Sequence, residues 1–274
     1  MSSRTMASPK ILILTGYGIN CEEETAYVFN KAGGSSEIVH VNDLIDGHKK
    51  TGDYQILAIP GGFAYGDDTG AGNALSNRIR NNINEDILKF AQEDKLVVGI
   101  CNGFQMLSNL GLVPATKGQY GKREIALMWN KTARYECRWV YTKTISKKCI
   151  WTKGIESLYL PIAHGEGNLY TTPEILAELK ANDQIVLKYT KQDGSPANNE
   201  LPWNPNGAID DIAGVTDPSG RILGLMPHAE RFHSFTCNPN WPRLKEELTR
   251  NNKALPEEGD GMKMFKNAVE YFTK

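Results

Sequence analysis

Apolar residues in the first 110 positions form short runs that alternate with helical patterns. The runs show little polar alternation, which is typical of strands buried on both faces, and they predict strands over Lys10–Leu14, Glu37–Val41, Gln55–Ile59 and Leu96–Ile100. Between these runs, apolar positions three or four residues apart predict helices, the last of which follows Cys101. Strands that alternate with helices in this way indicate βαβ units and a mainly parallel sheet.

The pattern changes beyond Pro114. Strand-like segments follow with few strong helical patterns between them: Arg123–Trp129, Glu136–Tyr141, Leu158–Ala163, Gln184–Thr190, Ile209–Val215 and Arg221–Met226. We interpret them as antiparallel additions followed by strands that return to the sheet. Two helices, Arg243–Arg250 and Met262–Phe272, are predicted near the end of the chain.

The sequence therefore predicts an α/β fold. A doubly wound, mostly parallel sheet is flanked by helices and extended by antiparallel strands and a C-terminal helical appendage. Along the chain, residues 1–9 are predicted as a disordered leader and residues 10–240 as one compact domain. Residues 241–274 are predicted as a helical extension packed on or beside that domain.

Composition narrows the classes of function. The net charge is −1, from 31 basic and 32 acidic residues among 274, so no overall field favours nucleic acid or an anionic membrane. No apolar run approaches the ~18 residues that cross a bilayer, and the N-terminus lacks the apolar core of a secretory signal. Five scattered cysteines without paired spacing argue against a disulfide framework or a zinc site. We therefore expect a cytoplasmic protein with no metal of its own.

Cys101 occupies the corner between a buried strand and a helix. Gly99 and Gly103 flank it two residues away on either side, where the backbone must approach closely. This is the pattern of a nucleophile elbow with cysteine in place of serine. The alternative is a buried structural cysteine, since free cysteines are often buried.

A cysteine nucleophile needs a general base and a group that orients the base. His228 follows the apolar run Ile222–Met226 and Pro227, so it is expected at the strand end, on the edge of the sheet where Cys101 lies. Glu230, two residues on, is placed to accept a hydrogen bond from its far nitrogen. Cys21 is the competing thiol, but we expect the acidic run Glu22–Glu24 to raise its pKa and disfavour the thiolate.

An acyl-transfer site also needs donors for an oxyanion. The glycine-rich loop after Pro60 offers the Gly62 N–H, and the residue after the nucleophile offers the Asn102 N–H. The loop lacks the lysine motif of a phosphate-binding loop. Asp67 and Asp68 are interpreted as residues that cap or precede the next helix rather than as metal ligands.

The last notable stretch is His164-Gly-Glu-Gly167. A histidine and a carboxylate between glycines fit the lining of a pocket. A tight turn with an exposed histidine fits the local sequence equally well, so both interpretations stay open.

Together these motifs resemble a known family. The combination of Gly99, Cys101, Gly103 and Gln105 with the downstream His-x-Glu and the upstream Pro-Gly-Gly resembles the class I, triad-type glutamine amidotransferases, which have a flavodoxin-like fold. The resemblance is narrowed to the glutaminases of phosphoribosylformylglycinamidine synthase by the stretches Pro60-Gly-Gly-Phe-Ala-Tyr-Gly-Asp, Cys101-Asn-Gly-Phe-Gln, Tyr135-Glu-Cys-Arg-Trp-Val, His164-Gly-Glu-Gly and Met226-Pro-His-Ala-Glu-Arg. It spans about residues 10–232.

The resemblance implies roles for the residues that match. Cys101 would attack the glutamine side-chain amide, with His228 as base and then acid and Glu230 holding His228. The backbone N–H groups of Gly62 and Asn102 would bind the oxyanion. The resemblance also implies that glutamine is bound by Gln105, His164, Gly165 and Glu166. Ammonia would pass to a synthetase partner that uses ATP and Mg²⁺ to make formylglycinamidine ribonucleotide in purine synthesis, with or without a small bridging subunit.

Two departures from the family pattern stand out. Ala229 follows the histidine where the family usually has proline, and the tail after Phe232 is longer than is usual in small free-standing subunits. The tail either packs on the core or forms part of the synthetase contact. Two other functions stay open: a catalytically silent regulatory subunit and another cysteine hydrolase on a similar fold.

Overall fold

The computed structural model describes residues 8–274, and most of the predicted leader lies outside them. The strands are β1 (Lys10–Thr15), β2 (Ser35–His40), β3 (Ile56–Ile59), β4 (Leu96–Ile100), β5 (Ile125–Trp129), β6 (Glu136–Thr144), β7 (Ser157–His164), β8 (Glu166–Thr171), β9 (Ile185–Thr190), β10 (Ile212–Thr216) and β11 (Ile222–Leu225). The helices are α1 (Glu22–Lys31), α2 (Val41–Ile45), α3 (Asn73–Gln92), α4 (Asn102–Leu110), α5 (Pro173–Ala181), α6 (Trp241–Arg250) and α7 (Met262–Thr273).

Nine of these strands form one sheet in the order β2-β1-β3-β4-β11-β10-β9-β6-β7. The five strands from β2 to β11 run parallel to their neighbours, and the pairs from β11 onward are antiparallel. The predicted α/β fold with antiparallel additions is confirmed. The carboxyl ends of β3, β4 and β11 therefore lie side by side at one edge of the sheet, where open α/β sheets bind ligands.

The central strands are apolar because both of their faces are covered. Every residue of β3, β4 and β11 is buried, with no polar alternation. Helix α4 packs on β3, β4 and β11 and also against α3, while α1 packs on β1 and β2. None of the helices in the described part of the chain is both long and apolar enough to cross a bilayer.

Three elements are missing from the sequence prediction: α2, β8 and α5. The predicted second strand ends one residue early because Val41 begins α2, whose N-cap His40 accepts from the Asn42 N–H. Within the described residues, strand β8 pairs with β5 alone, in a separate two-stranded sheet, and its glycine and asparagine weaken the strand signal. Helix α5 does carry a start signal, because Thr172 caps it and Pro173 is its first residue.

The two predicted C-terminal helices are present and differ in burial. Helix α7 packs against α1, and the Phe265 ring meets the Phe29 ring edge-on at 5.0 Å. Its other fully buried side chains include Met262, Met264 and Val269. Helix α6, in contrast, contributes no fully buried side chain. The last helix of the tail, α7, thus packs on the core.

Candidate active site

Cys101 lies on the turn from β4 to α4, as the sequence predicts. Its φ angle is +52°, a conformation that side chains rarely adopt and that costs strain. A Cβ on Gly103 would lie 1.8 Å from the Ile59 carbonyl oxygen, and one on Gly99 would lie 2.5 Å from the Gly103 carbonyl oxygen. Only glycine fits at both positions, so the elbow geometry predicted from the two glycines is confirmed.

His228 reaches the same edge of the sheet because it follows β11, which pairs in parallel with β4. Its backbone N–H donates to the Pro161 carbonyl of β7 at 2.8 Å. The ring nitrogen Nδ1 lies 2.5 Å from Glu230 Oε1, and both side chains are buried. His228 and Glu230 thus form the predicted pair at the strand end.

The Cys101 thiol faces this pair and also the antiparallel half of the sheet. Its Sγ donates to the Ala163 carbonyl oxygen at 3.6 Å. The Nε2 atom of His228 has no hydrogen-bond partner within residues 8–274, so it remains available to Cys101. Burial acts to lower the pKa of His228, but the Glu230 carboxylate and then the Cys101 sulphur outweigh burial, and the net pKa lies well above the usual 6.5. The Glu230 carboxylate therefore favours the protonated imidazole beside the Cys101 sulphur.

Two backbone amides are the predicted oxyanion donors. Within the described residues, neither the Gly62 N–H nor the Asn102 N–H donates a hydrogen bond. The loop that carries Gly62 is held by the β1–α1 segment: Ile19 pairs with Gly62 in an isolated bridge, and the Cys21 N–H donates to the Gly61 carbonyl at 3.2 Å. The role of the two amides as oxyanion donors stays a prediction.

The Asn102 side chain links the glycine-rich loop to the nucleophile helix. Its Nδ2 donates to Asp67 Oδ1 at 3.1 Å and to Gln105 Oε1 at 2.8 Å. Helix α3 begins only at Asn73, with Gly72 as its N-cap, so Asp67 precedes that helix and does not cap it. Burial is the main reason that the pKa of Asp67 rises to about 6.

His164 ends β7 and lies inside the protein. It is 2% exposed, so the alternative of an exposed turn histidine is wrong. Its Nδ1 lies 3.1 Å from Asn130 Oδ1, and burial, followed by the charge of His228, lowers the pKa of His164 to about 3. Gly165 joins β7 to β8, and its carbonyl accepts from the Asn130 N–H at 2.8 Å. His164 is thus neutral near pH 7.

Glu166 opens β8 and connects it to the glycine-rich loop. Its Oε2 accepts from the Ala71 N–H at 3.1 Å, and its carbonyl oxygen accepts from Gln105 Nε2 at 2.6 Å. Gln105 and Glu166 both line a cavity of about 190 Å³. The structure therefore brings these two together beside Asn102, while the glutamine-binding role of both, and of His164 and Gly165, stays a prediction.

The sequence analysis missed that Cys21 and Arg231 belong to this site. Arg231 Nη2 donates to Cys21 Sγ at 3.0 Å. The prediction that the pKa of Cys21 is raised is confirmed, but its cause is burial rather than the acidic run that follows it. Cys21 also lies close to His228 and contributes, after Glu230 and Cys101, to the raised pKa of the histidine. The one available signal was the position of Cys21 after a parallel strand.

A metal ion could in principle be held by three side chains that lie close together, namely Cys21, His228 and Glu230. Their ligand atoms lie within 4.8 Å of one another, and all three side chains are buried. The guanidinium of Arg231 already donates to the Cys21 sulphur, which places a positive charge where a cation would bind. The chemistry of this cluster therefore fits a hydrogen-bonded support of the histidine better than a metal centre.

The chain is similar to known proteins over nearly its full length. A family model for the CobB/CobQ-like glutamine amidotransferase domain matches residues 8–272. A glutamine amidotransferase from Thermotoga maritima has the same fold, with a TM-score of 0.53 at 15% identity over 98% of this chain and 99% of that chain. Fold and family match together define a glutamine amidotransferase.

Other relatives narrow the class. The phosphoribosylformylglycinamidine synthase subunit PurQ of Methanococcus maripaludis strain C7 is 52% identical over 97% of this chain and 98% of its own length. PurQ of Dehalococcoides mccartyi is 44% identical over the same shares of the two chains. A chain in the structure of PurLQS from Thermotoga maritima has a TM-score of 0.71 at 26% identity, covering 97% of this chain and 99% of that chain. The chain belongs to the PurQ family.

Proposed function

We propose that this chain hydrolyses glutamine to glutamate at Cys101 and supplies the ammonia to a synthetase partner that makes formylglycinamidine ribonucleotide. The observation that carries the proposal is the buried His228–Glu230 pair next to Cys101, which stands on a strained turn between a strand and a helix. The names of the PurQ relatives and the solved PurLQS complex support the partner and the pathway.

The first half of the reaction forms a thioester. His228 takes the proton of the Cys101 thiol, and the resulting thiolate attacks the carboxamide carbon of glutamine, whose oxygen takes up negative charge as the tetrahedral intermediate forms. The N–H groups of Gly62 and Asn102 bind that oxyanion. The C–N bond then breaks, the protonated His228 gives its proton to the leaving nitrogen, and ammonia departs from a γ-glutamyl thioester.

The second half releases glutamate. A water molecule attacks the thioester carbon while His228 accepts its proton, and the C–S bond breaks to free the Cys101 sulphur. Glu230 stabilises the imidazolium that forms in this step through the contact at Nδ1. The proton given away with ammonia is thereby recovered, so the site returns to its starting state.

Other residues of the chain are proposed to bind glutamine, and the chain is proposed to act in a complex with the synthetase. Gln105, His164, Gly165 and Glu166 are proposed to bind glutamine, with Gln105 and Glu166 at the cavity beside Asn102. We propose that the chain needs no metal or cofactor of its own and that ATP and Mg²⁺ bind to the synthetase partner, with or without a small bridging subunit. We place the complex in the cytoplasm, where the purine precursor is made.

The direct test is glutamate release from glutamine, measured with and without the co-purified synthetase partner. The variants are Cys101→Ala and, as a matched control, Cys137→Ala, which removes an exposed free cysteine. We expect activity that appears or rises with the partner, survives in Cys137→Ala and is lost in Cys101→Ala.

Two outcomes would contradict the proposal. No activity in the wild-type complex would favour the silent regulatory subunit. Hydrolysis of peptide or ester substrates, without covalent trapping of Cys101 by a glutamine-like electrophile, would favour another cysteine hydrolase.

A further inference from the structure

Cys21 shares one backbone surface with the catalytic histidine. A Cβ on Gly61 would lie 2.7 Å from His228 Cε1 and 3.2 Å from Cys21 Sγ. The thiol and the ring edge therefore both pack against the same glycine. Cys21 is completely buried, so no solvent separates them.

The Cys21 sulphur already has two hydrogen-bond partners within the protein. Its thiol donates to Asn20 Oδ1 at 3.2 Å, and its sulphur accepts from Arg231 Nη2 at 3.0 Å. Arg231 is itself anchored, because its Nε donates to Glu24 Oε1 of α1 at 3.4 Å. Burial raises the pKa of Cys21, which keeps it a thiol. A buried, hydrogen-bonded thiol suits the support of a neighbour better than attack on a substrate.

His228 is fixed on its other sides by the groups already described. Its N–H is bound to the Pro161 carbonyl and its Nδ1 to Glu230, which leaves the Cε1 edge against Cys21 and Gly61. Loss of the sulphur would open space along that edge and free the guanidinium of Arg231. The ring could then tilt away from the direction in which Nε2 serves Cys101.

We propose that Cys21 and Arg231 are positioning residues for His228: Arg231 holds the Cys21 thiol, and the thiol holds the ring so that Nδ1 meets Glu230 while Nε2 stays free for Cys101. This inference rests on the proposed glutaminase function. A displacement of a catalytic group by about 1 Å can cost up to ~10²-fold in rate, so a measurable effect is expected without any direct contact with substrate.

The test compares Cys21→Ala with Cys21→Ser and Arg231→Gln in the complex with the synthetase partner. Serine keeps one acceptor and one donor at that position, so it should restore most of the rate. We expect Cys21→Ala and Arg231→Gln to lower kcat for glutamine hydrolysis about tenfold with little change in KM. Cys149→Ala, which removes another buried cysteine outside the site, is the matched control.

A second readout does not depend on turnover. The rate at which iodoacetamide alkylates Cys101, followed by mass spectrometry across pH, reports the pairing of the thiol with His228. We expect its pH profile to shift in Cys21→Ala and Arg231→Gln, and to return toward the wild-type profile in Cys21→Ser.

Distinct results separate the two claims. Folded Cys21→Ala with unchanged kcat and an unchanged Cys101 profile would overturn the positioning role, as would glutamyl-analogue labelling of Cys21 instead of Cys101. Loss of stability alone, with both readouts intact in the remaining folded fraction, would also overturn it. Inactive wild-type complex would refute the glutaminase function, while the alkylation profile would still decide whether Cys21 and Arg231 control the histidine.

Discussion

Two corners of the parallel sheet carry a buried cysteine, and they differ in backbone conformation and in the hydrogen bonds of the sulphur. Cys101 and Cys21 each stand at the N-cap of a helix that follows a parallel strand. Cys101 comes directly after β4 with φ +52°, whereas Cys21 comes six residues after β1 with φ −110°. The first corner is strained and the second is relaxed.

The contrast shows what selects the nucleophile. Both sulphurs lie near His228, so proximity to the base does not distinguish them. The Cys21 sulphur makes two hydrogen bonds within the protein, while the Cys101 sulphur makes one long contact with a carbonyl oxygen. The strained turn places Cys101 at the carboxyl end of β4, directly before the nucleophile helix, whereas Cys21 is separated from its strand by a loop.

Replacing each sulphur by oxygen should give the largest difference between the corners. A serine hydroxyl ionises far less readily than a thiol, so Cys101→Ser should lower glutamine hydrolysis by at least ~10³-fold. Cys21→Ser keeps its donor and acceptor and should retain most of the activity. Steady-state glutamate release by the two variants in the complex checks this. Comparable losses in both would mean that the two thiols act as one unit.

The glycines at the two corners should differ in stability. Gly103→Ala places a Cβ 1.8 Å from a backbone oxygen and should cost more than about 3 kcal/mol or prevent folding. Gly16→Ala, in the other corner, meets nothing closer than Leu75 Cδ2 at 3.5 Å and should change the free energy of unfolding by no more than about 1 kcal/mol. Urea denaturation of both variants measures the difference. A folded, fully stable Gly103→Ala protein would refute the close-approach explanation of the elbow.

The strained corner is the part that sequence reasoning predicts best. An unbroken apolar strand, a glycine on either side of Cys101 and a second strand ending before His228 together place the triad at one sheet edge. That inference needs only strand direction and side-chain size. The parallel half of the fold follows from the same alternation of strands and helices.

The relaxed corner could not be predicted in the same way. Whether Cys21 meets His228 depends on how the loops after β1 and β3 cross over the edge of the sheet, since β3 and β4 separate β1 from β11. The approach of the Ala163 carbonyl to Cys101 likewise depends on the register of an antiparallel strand. Neither loop paths nor the register between distant strands is encoded in local periodicity.

Removing the charge of Glu230, which contacts the histidine at the strained corner, should lower the free energy of unfolding more than removing the charge of Glu23 at the relaxed corner. The pKa of His228 is raised by Glu230, so this pair stabilises the fold below about pH 6.5 and loses that contribution as pH rises through the folded-state pKa. Glu230→Gln should therefore cost about 2–4 kcal/mol at pH 6 and less at pH 9. Glu23→Gln, an exposed change in the first turn of α1, is the control. Urea denaturation at both pH values tests this, and a cost that grows with pH would contradict it.

The smallest effect is expected in the loop that joins the corners. This loop is bound to the β1–α1 segment through Gly62 and to the nucleophile helix through Asp67 and Asn102. Because burial raises the pKa of Asp67 to about 6, the ionised carboxylate disfavours the folded state as pH rises from about 4 through 6. Asp67→Asn keeps the acceptor for Asn102 and should raise Tm relative to wild type by about 1–2 °C at pH 7.5, with no gain at pH 4. Asp68→Asn removes an exposed charge from the same loop and is the matched control. An equal rise in Tm for Asp67→Asn at both pH values would contradict this prediction. The loop would then respond to net charge, and the link between the two corners would not depend on the protonation of Asp67.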